Sequence, residues 1–203
     1  GRVEVGPEVK INSQLIELNP ADFDLSKNVM VPPNSLKADV AMINERFPKV
    51  LDALKLKSLD QTFGNTDSRV GFITSGAVFE ILKQVLDDND ALNRFSLYKI
   101  AAPYPLIDDL LVPYLKNLET LIVVEEKRGF LETELTEVIN RNNLKCKIYG
   151  KRFNGTEGFP IHGGLNYDLV LDKVSTLFKQ LHLEACHPAK PGVTLSEVMP
   201  RRL

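Results

Sequence analysis

Glu125 and Glu126 stand side by side directly after the apolar run Leu121–Val124, a pairing that general acid/base chemistry would use. Adjacent residues on a strand point to opposite faces, so two such carboxylates do not share a site and at most one faces a cleft. The simpler expectation is that Glu126 caps the following helix or meets a neighbouring domain. Thr74-Ser75-Gly76 puts two hydroxyls at what reads as a helix start, where free N–H groups could hold an anion. The several glycines and the lysine of a phosphate loop are missing, which favours a capped strand-to-helix turn. His162-Gly163-Gly164 offers a lone proton donor with no carboxylate or cysteine paired to it. His182, Cys186 and His187 lie near a helix end without a second cysteine pair, whereas structural zinc takes four ligands in paired spacing. G-x-S-x-G, H-E-x-x-H, G-x-G-x-x-G and C-x-x-C are absent.

The elements that must position these groups follow from hydrophobic spacing. Residues 1–33 carry four prolines and no helical stripe, and read as an extended arm. Residues 34–67 read as a helical entry segment: Leu36, Val40, Ile43 and Phe47 recur every three to four residues, Pro48 should end or kink that helix, and a second short piece covers Val50 to Leu56. From residue 68 to 183, strands over Arg69–Thr74, Ser96–Ile100, Thr120–Val124 and Lys145–Tyr149 alternate with helical stripes. Those stripes run over Val78–Val85, Asp108–Leu115, Leu131–Ile139 and Tyr167–Leu181. That alternation means βαβ units, a mostly parallel sheet and helices on both faces. Residues 184–203, with three further prolines, read as a linker cut in mid-course. In such a sheet, ligands sit at the carboxyl ends of strands. Three loops fall there: Thr74–Gly76, Ala102–Pro105 with Tyr104, and Glu125–Gly129 with Arg128.

Composition narrows the function classes. A formal net charge of −2, no tryptophan and no basic stripe interleaved with aromatics leave nucleic-acid binding unsupported. No apolar run approaches the roughly 18–20 residues of a membrane span, and the first residues hold no signal-peptide core. Two cysteines forty residues apart make no disulfide framework, so a cytoplasmic location is expected.

The runs Val70-Gly-Phe-Ile-Thr-Ser-Gly-Ala-Val78, Leu97-Tyr-Lys-Ile-Ala-Ala-Pro-Tyr-Pro-Leu106 and Leu121-Ile-Val-Val-Glu-Glu-Lys-Arg-Gly-Phe-Leu131 resemble the strand–turn–helix units of transketolase C-terminal-type domains. Within that superfamily, Val123–Arg128, Tyr149-Gly-Lys-Arg152, Pro160-Ile-His-Gly-Gly164 and the upstream Asn28-Val-Met-Val-Pro-Pro33 are most similar to the α-subunit type of indolepyruvate ferredoxin oxidoreductases. The resemblance covers roughly residues 28–180. It implies a three-layer α/β/α domain whose five-stranded, mostly parallel sheet has one antiparallel edge strand before residue 69. It also implies a parent enzyme that oxidatively decarboxylates arylpyruvates with coenzyme A to acyl-CoA and reduced ferredoxin, using thiamine diphosphate, Mg2+ and iron–sulfur clusters. Those cofactors belong to flanking domains in the family, and no family catalytic, cofactor or metal residue carries onto a position here. Gly1 reads as a cloning remnant, and the chain as a piece whose next domain would be cysteine-rich.

The resemblance therefore implies a non-catalytic bracing domain that meets flanking domains and the second subunit of a homodimer. Thr74, Ser75, Gly76, Tyr104, Glu126, Arg128 and Gly129 are its candidate contacts. The alternative is a small-molecule or anion-binding regulatory module built on the same strand-end loops. An independent enzyme using Glu126 and His162 is a third and weaker reading, because nothing in the sequence brings the two together.

Overall fold

The computed structural model describes residues 19, 29–57 and 59–183. The expected arm and the terminal linker, with Cys186 and His187, lie outside the described residues apart from the last few positions of the arm. The chain divides into two units, residues 1–49 and 50–203. Helix α1 (Asn34–Ala41) is followed by a π-helical stretch, Met42–Arg46, and by helix α2 (Phe47–Lys57). Pro48, expected to end or kink the helix, does not end it. It cannot donate to the carbonyl four residues back, and the wider turns just before it, where the Phe47 N–H reaches the Met42 carbonyl, absorb the misfit. No residue of these helices is buried, and Leu36, Val40 and Ile43 are exposed.

The second unit holds a five-stranded sheet of β1 (Gln61–Gly64), β2 (Val70–Ser75), β3 (Ser96–Ile100), β4 (Thr120–Val124) and β5 (Lys147–Tyr149), in the order β1-β3-β2-β4-β5. All neighbours are parallel except β1, which pairs antiparallel with β3 through Gln61–Lys99 and Gly64–Ser96. This is the α/β architecture expected, with its odd strand before residue 69. That strand falls inside the stretch read as a helical segment, because four residues with a single half-buried position carry no usable period. The central strands β2 and β4 are buried along nearly their whole length, as strands covered on both faces must be.

The strand side chains alternate between two cores. Phe72, Leu97, Ile122 and Val124 pack with helices α3 (Val78–Asp88) and α6 (Tyr167–Gln180). Ile73, Tyr98, Leu121 and Val123 pack on the other face with α4 (Asp108–Leu115) and α5 (Phe130–Arg141). Against β2, α4 sits so close that a Cβ on Gly71 would lie 2.3 Å from the Tyr114 hydroxyl. That hydroxyl donates to the Phe72 carbonyl at 3.0 Å and meets Ser96 Oγ at 3.1 Å.

From β2 the chain moves to β3 on one side, then crosses back to β4 on the other. The strand order thus reverses between β2 and β4, and sheets of this kind offer a site at the carboxyl ends of the strands at such a point. Two of the three expected loops, Thr74–Gly76 and Glu125–Gly129, flank it.

Candidate functional site at the carboxyl end of β4

Glu125 is buried, and both its oxygens accept backbone N–H groups of α5: Oε2 from Leu131 at 2.8 Å and Oε1 from Glu132 at 2.9 Å. The helix cap expected of Glu126 is therefore made by its neighbour. The reason is geometric: the chain turns through Lys127 at φ +58° before entering α5, and Glu125, on the inward side of the strand, reaches back under the helix start. Burial pushes the Glu125 carboxyl above its ordinary value, against the pull of the two N–H groups and of Lys151.

Glu126 points elsewhere. Its Oε1 accepts from the Leu165 N–H at 3.0 Å and so ties down the segment after β5. The same segment is held a second time by Lys151. The ammonium donates to the carbonyls of Glu125 at 2.5 Å and Pro160 at 3.2 Å, and the Lys151 N–H donates to Glu132 Oε2 at 2.7 Å. Burial lowers the Lys151 pKa, and the carboxylates of Glu125, Glu132 and Glu126 oppose that shift. Next to it the Phe159 N–H reaches the Gly150 carbonyl at 2.9 Å, and a Cβ on Gly158 would lie 2.0 Å from that oxygen. Only glycine admits this approach.

Between these clamps an open groove of about 580 Å3 is lined by Glu125 to Arg128, Phe130, Ile161, His162 and Gly163. Both glutamates thus contribute to one groove, although their carboxylates serve different partners. Phe130 and Ile161 are 50% and 62% exposed, and Tyr104, 56% exposed, stacks obliquely on Phe130 at 6.1 Å between ring centres. Lys127 and Arg128 are exposed and have no hydrogen-bond or ion-pair partner among the described residues. Sequence reasoning put Thr74, Ser75, Gly76, Tyr104, Glu126, Arg128 and Gly129 at one sheet edge; of these, Glu126 and Arg128 line the groove, and Tyr104 meets it through Phe130. It missed Glu125 as the cap, Lys151 as the clamp, and the apolar pair Phe130 and Ile161. An aromatic residue at the first position of α5, outside its buried apolar stripe, was the one available signal.

Thr74, Ser75 and Gly76 do not line this groove. The Thr74 side chain is fully buried and donates to the Val124 carbonyl at 2.7 Å, joining the ends of β2 and β4. No side chain caps α3, and Glu80 occupies its first turn. His162 shares the groove with Glu126, but no hydrogen bond joins the two.

Among the described residues no three His, Cys, Asp or Glu side chains stand where they could hold a metal ion. Cys146 is buried alone, with its thiol pushed up to about 11, the reverse of what thiolate ligation requires.

A model of the family described as indolepyruvate oxidoreductase domain matches residues 60–190. The indolepyruvate oxidoreductase subunit IorA of Thermococcus kodakarensis is 25% identical over 128 residues, 63% of this chain and 20% of the relative. The chain thus spans about a fifth of that relative's length. Among solved structures, a 2-oxoglutarate:ferredoxin oxidoreductase from Magnetococcus marinus with 2-oxoglutarate, coenzyme A and succinyl-CoA bound aligns with TM-score 0.49 and 16% identity, over 72% of this chain and 23% of that one. A split-gene transketolase, an inactive beta4 tetramer, aligns with TM-score 0.44 and 13% identity, over 59% and 41%.

Proposed function

This chain belongs to the indolepyruvate oxidoreductase domain family, and from that premise we propose that it is a non-catalytic bracing and interaction domain of a 2-oxoacid:ferredoxin oxidoreductase. The parent enzyme would act on an arylpyruvate with coenzyme A in the cytoplasm, pass electrons to ferredoxin, and hold its thiamine diphosphate, Mg2+ and iron–sulfur clusters in other domains. The domain would present its carboxyl-edge loops to flanking domains and to the second subunit of a homodimer.

The observation that supports this reading is how the ionisable groups of the edge are used. Glu125 closes the start of α5, Glu126 and Lys151 clamp the segment after β5, and Thr74 joins two strands. Glu125, Glu126, Lys151 and Thr74 are bound into the scaffold, while apolar side chains are left outside. Anion binding draws less support: the N–H groups at the start of α5 already have a carboxylate, and α3, which follows Thr74–Gly76, has no side-chain cap but carries Glu80 in its first turn.

Thermal unfolding of the chain with saturating thiamine diphosphate and magnesium, and separately with coenzyme A, tests the reading. A ligand at a hundred times its dissociation constant stabilises by about 2.7 kcal/mol, a shift of several degrees for this size. No shift is expected with either. A clear shift would overturn the non-catalytic reading and make the strand-end loops a ligand site.

A further inference from the structure

From residue 60 to residue 183 the large apolar side chains left exposed are Tyr104, Phe130 and Ile161. They come from three separate stretches, the loops after β3 and β5 and the first residue of α5 after β4, and Phe130 links the other two at one edge. The Tyr104 and Phe130 rings touch, and Phe130 and Ile161 line the same groove. An apolar cluster assembled from three stretches, while the rest of residues 60–183 hides its large apolar side chains, marks a surface that is covered. Of the exposed charged side chains that line the groove, Glu126, Lys127 and Arg128, only the two cations lack a partner among the described residues. Glu125 is turned inward to α5 and Glu126 is engaged by the Leu165 N–H, whereas Lys127 and Arg128 stand outward without a partner among the described residues.

We propose that this groove docks an acidic polypeptide segment carrying one apolar anchor side chain, supplied by polypeptide outside residues 1–203. The proposal rests on the interaction reading above and names the partner of that site. Its form suits a side-chain anchor laid on a surface: it is an open groove of about 580 Å3 with Phe130 and Ile161 in its lining. Its walls are set in advance, since Lys151 and Glu126 hold the segment 160–165 from two sides, so little ordering accompanies binding. A free anion is a poorer occupant. It would find only the two mobile cations, because the helix N–H groups nearby are already satisfied. A segment that combines carboxylates with an anchor uses both the charge and the apolar floor. The relative of known sequence is about five times longer than the stretch matched here, which is where such a segment would lie.

Photocrosslinking in the intact oxidoreductase, expressed in its native host, tests this. A benzophenone side chain is placed at Ile161, and in a second variant at Ser75, outside the groove. The expected result is an Ile161 adduct to a segment beyond these 203 residues in which Asp or Glu flanks an apolar residue. The double variant Lys127→Glu/Arg128→Glu should cut its yield about tenfold, as reversing two surface charges implies, without changing the melting temperature. An adduct to a segment lacking acidic residues, to residues within the chain or a second copy, or to lipid or nucleic acid would overturn the proposal. So would a yield that ignores charge reversal. An adduct at Ser75 with none at Ile161 would sink the groove while leaving the interaction reading intact. No adduct at either position would remove both.

Discussion

Glu125 shows how one carboxylate can look catalytic in sequence and be structural in space. Its two oxygens satisfy two of the N–H groups that open α5, which otherwise have no partner within the helix. Glu125→Ala should therefore cost about 1–2 kcal/mol in urea unfolding, whereas Glu126→Gln, which keeps an acceptor for Leu165, should stay within about 0.5 kcal/mol. Equal costs at the two positions would refute the assignment. Burial sets the pH behaviour. With the folded pKa raised above the ordinary 4.5, the folded chain binds this proton more readily than the unfolded one. Acidification from neutral pH through the folded value therefore adds stability, down to about the ordinary value. Glu125→Gln should flatten that part of a melting-temperature profile. The adjacent pair itself was legible in the sequence. Which member points inward was not, because Lys127 takes a left-handed turn that no pattern announces.

Between elements, the packing of α4 on α5 has an ionic pin. Arg141 at the end of α5 forks onto Asp108 at the start of α4, and the Asn142 amide adds a bond to the same carboxylate at 2.7 Å. The Arg141 contact holds the Asp108 carboxyl below its ordinary 3.8. Its contribution is present above that value and is lost as pH falls through the lower folded one. The pair is partly exposed, so Asp108→Asn should cost no more than about 1 kcal/mol at neutral pH and should steepen nothing on the alkaline side. Close packing of α4 on β2 is a larger matter. Gly71→Ala would drive a methyl into Tyr114 and Leu118, and a loss of about 1–3 kcal/mol in chemical denaturation is expected; a neutral result would mean that α4 shifts freely. The helices and parallel strands were readable because their stripes and apolar runs are long. Strand β1 and the π-helical detour before Pro48 were not, since both are answers to neighbours rather than patterns.

Across the whole molecule, burial is uneven. Strands β2 and β4 sit under helices on both faces, while α1 and the π-helical stretch after it bury no residue. Native-state hydrogen exchange should therefore separate the two regions. Amides of Asn34–Arg46 should open locally at a free energy near zero, and those of β2 and β4 should exchange only through global unfolding. Equal protection would show that the helical segment is stabilised by contacts absent from this chain's described surface.

The sequence by itself determined the layered α/β architecture, the order of its parallel strands along the chain, and the three loops that reach one sheet edge. Those features follow from local periodicity, which each segment carries within its own residues. It also pointed to Glu125 and Glu126 as the residues to watch. Only the tertiary structure decided that Lys151 and Glu126 clamp the same segment, that Thr74 is closed against Val124, and that Tyr104, Phe130 and Ile161 converge. These contacts join residues from 9 to 50 positions apart, and such distances are set by how helices and loops seat on the sheet. No spacing along the chain encodes them.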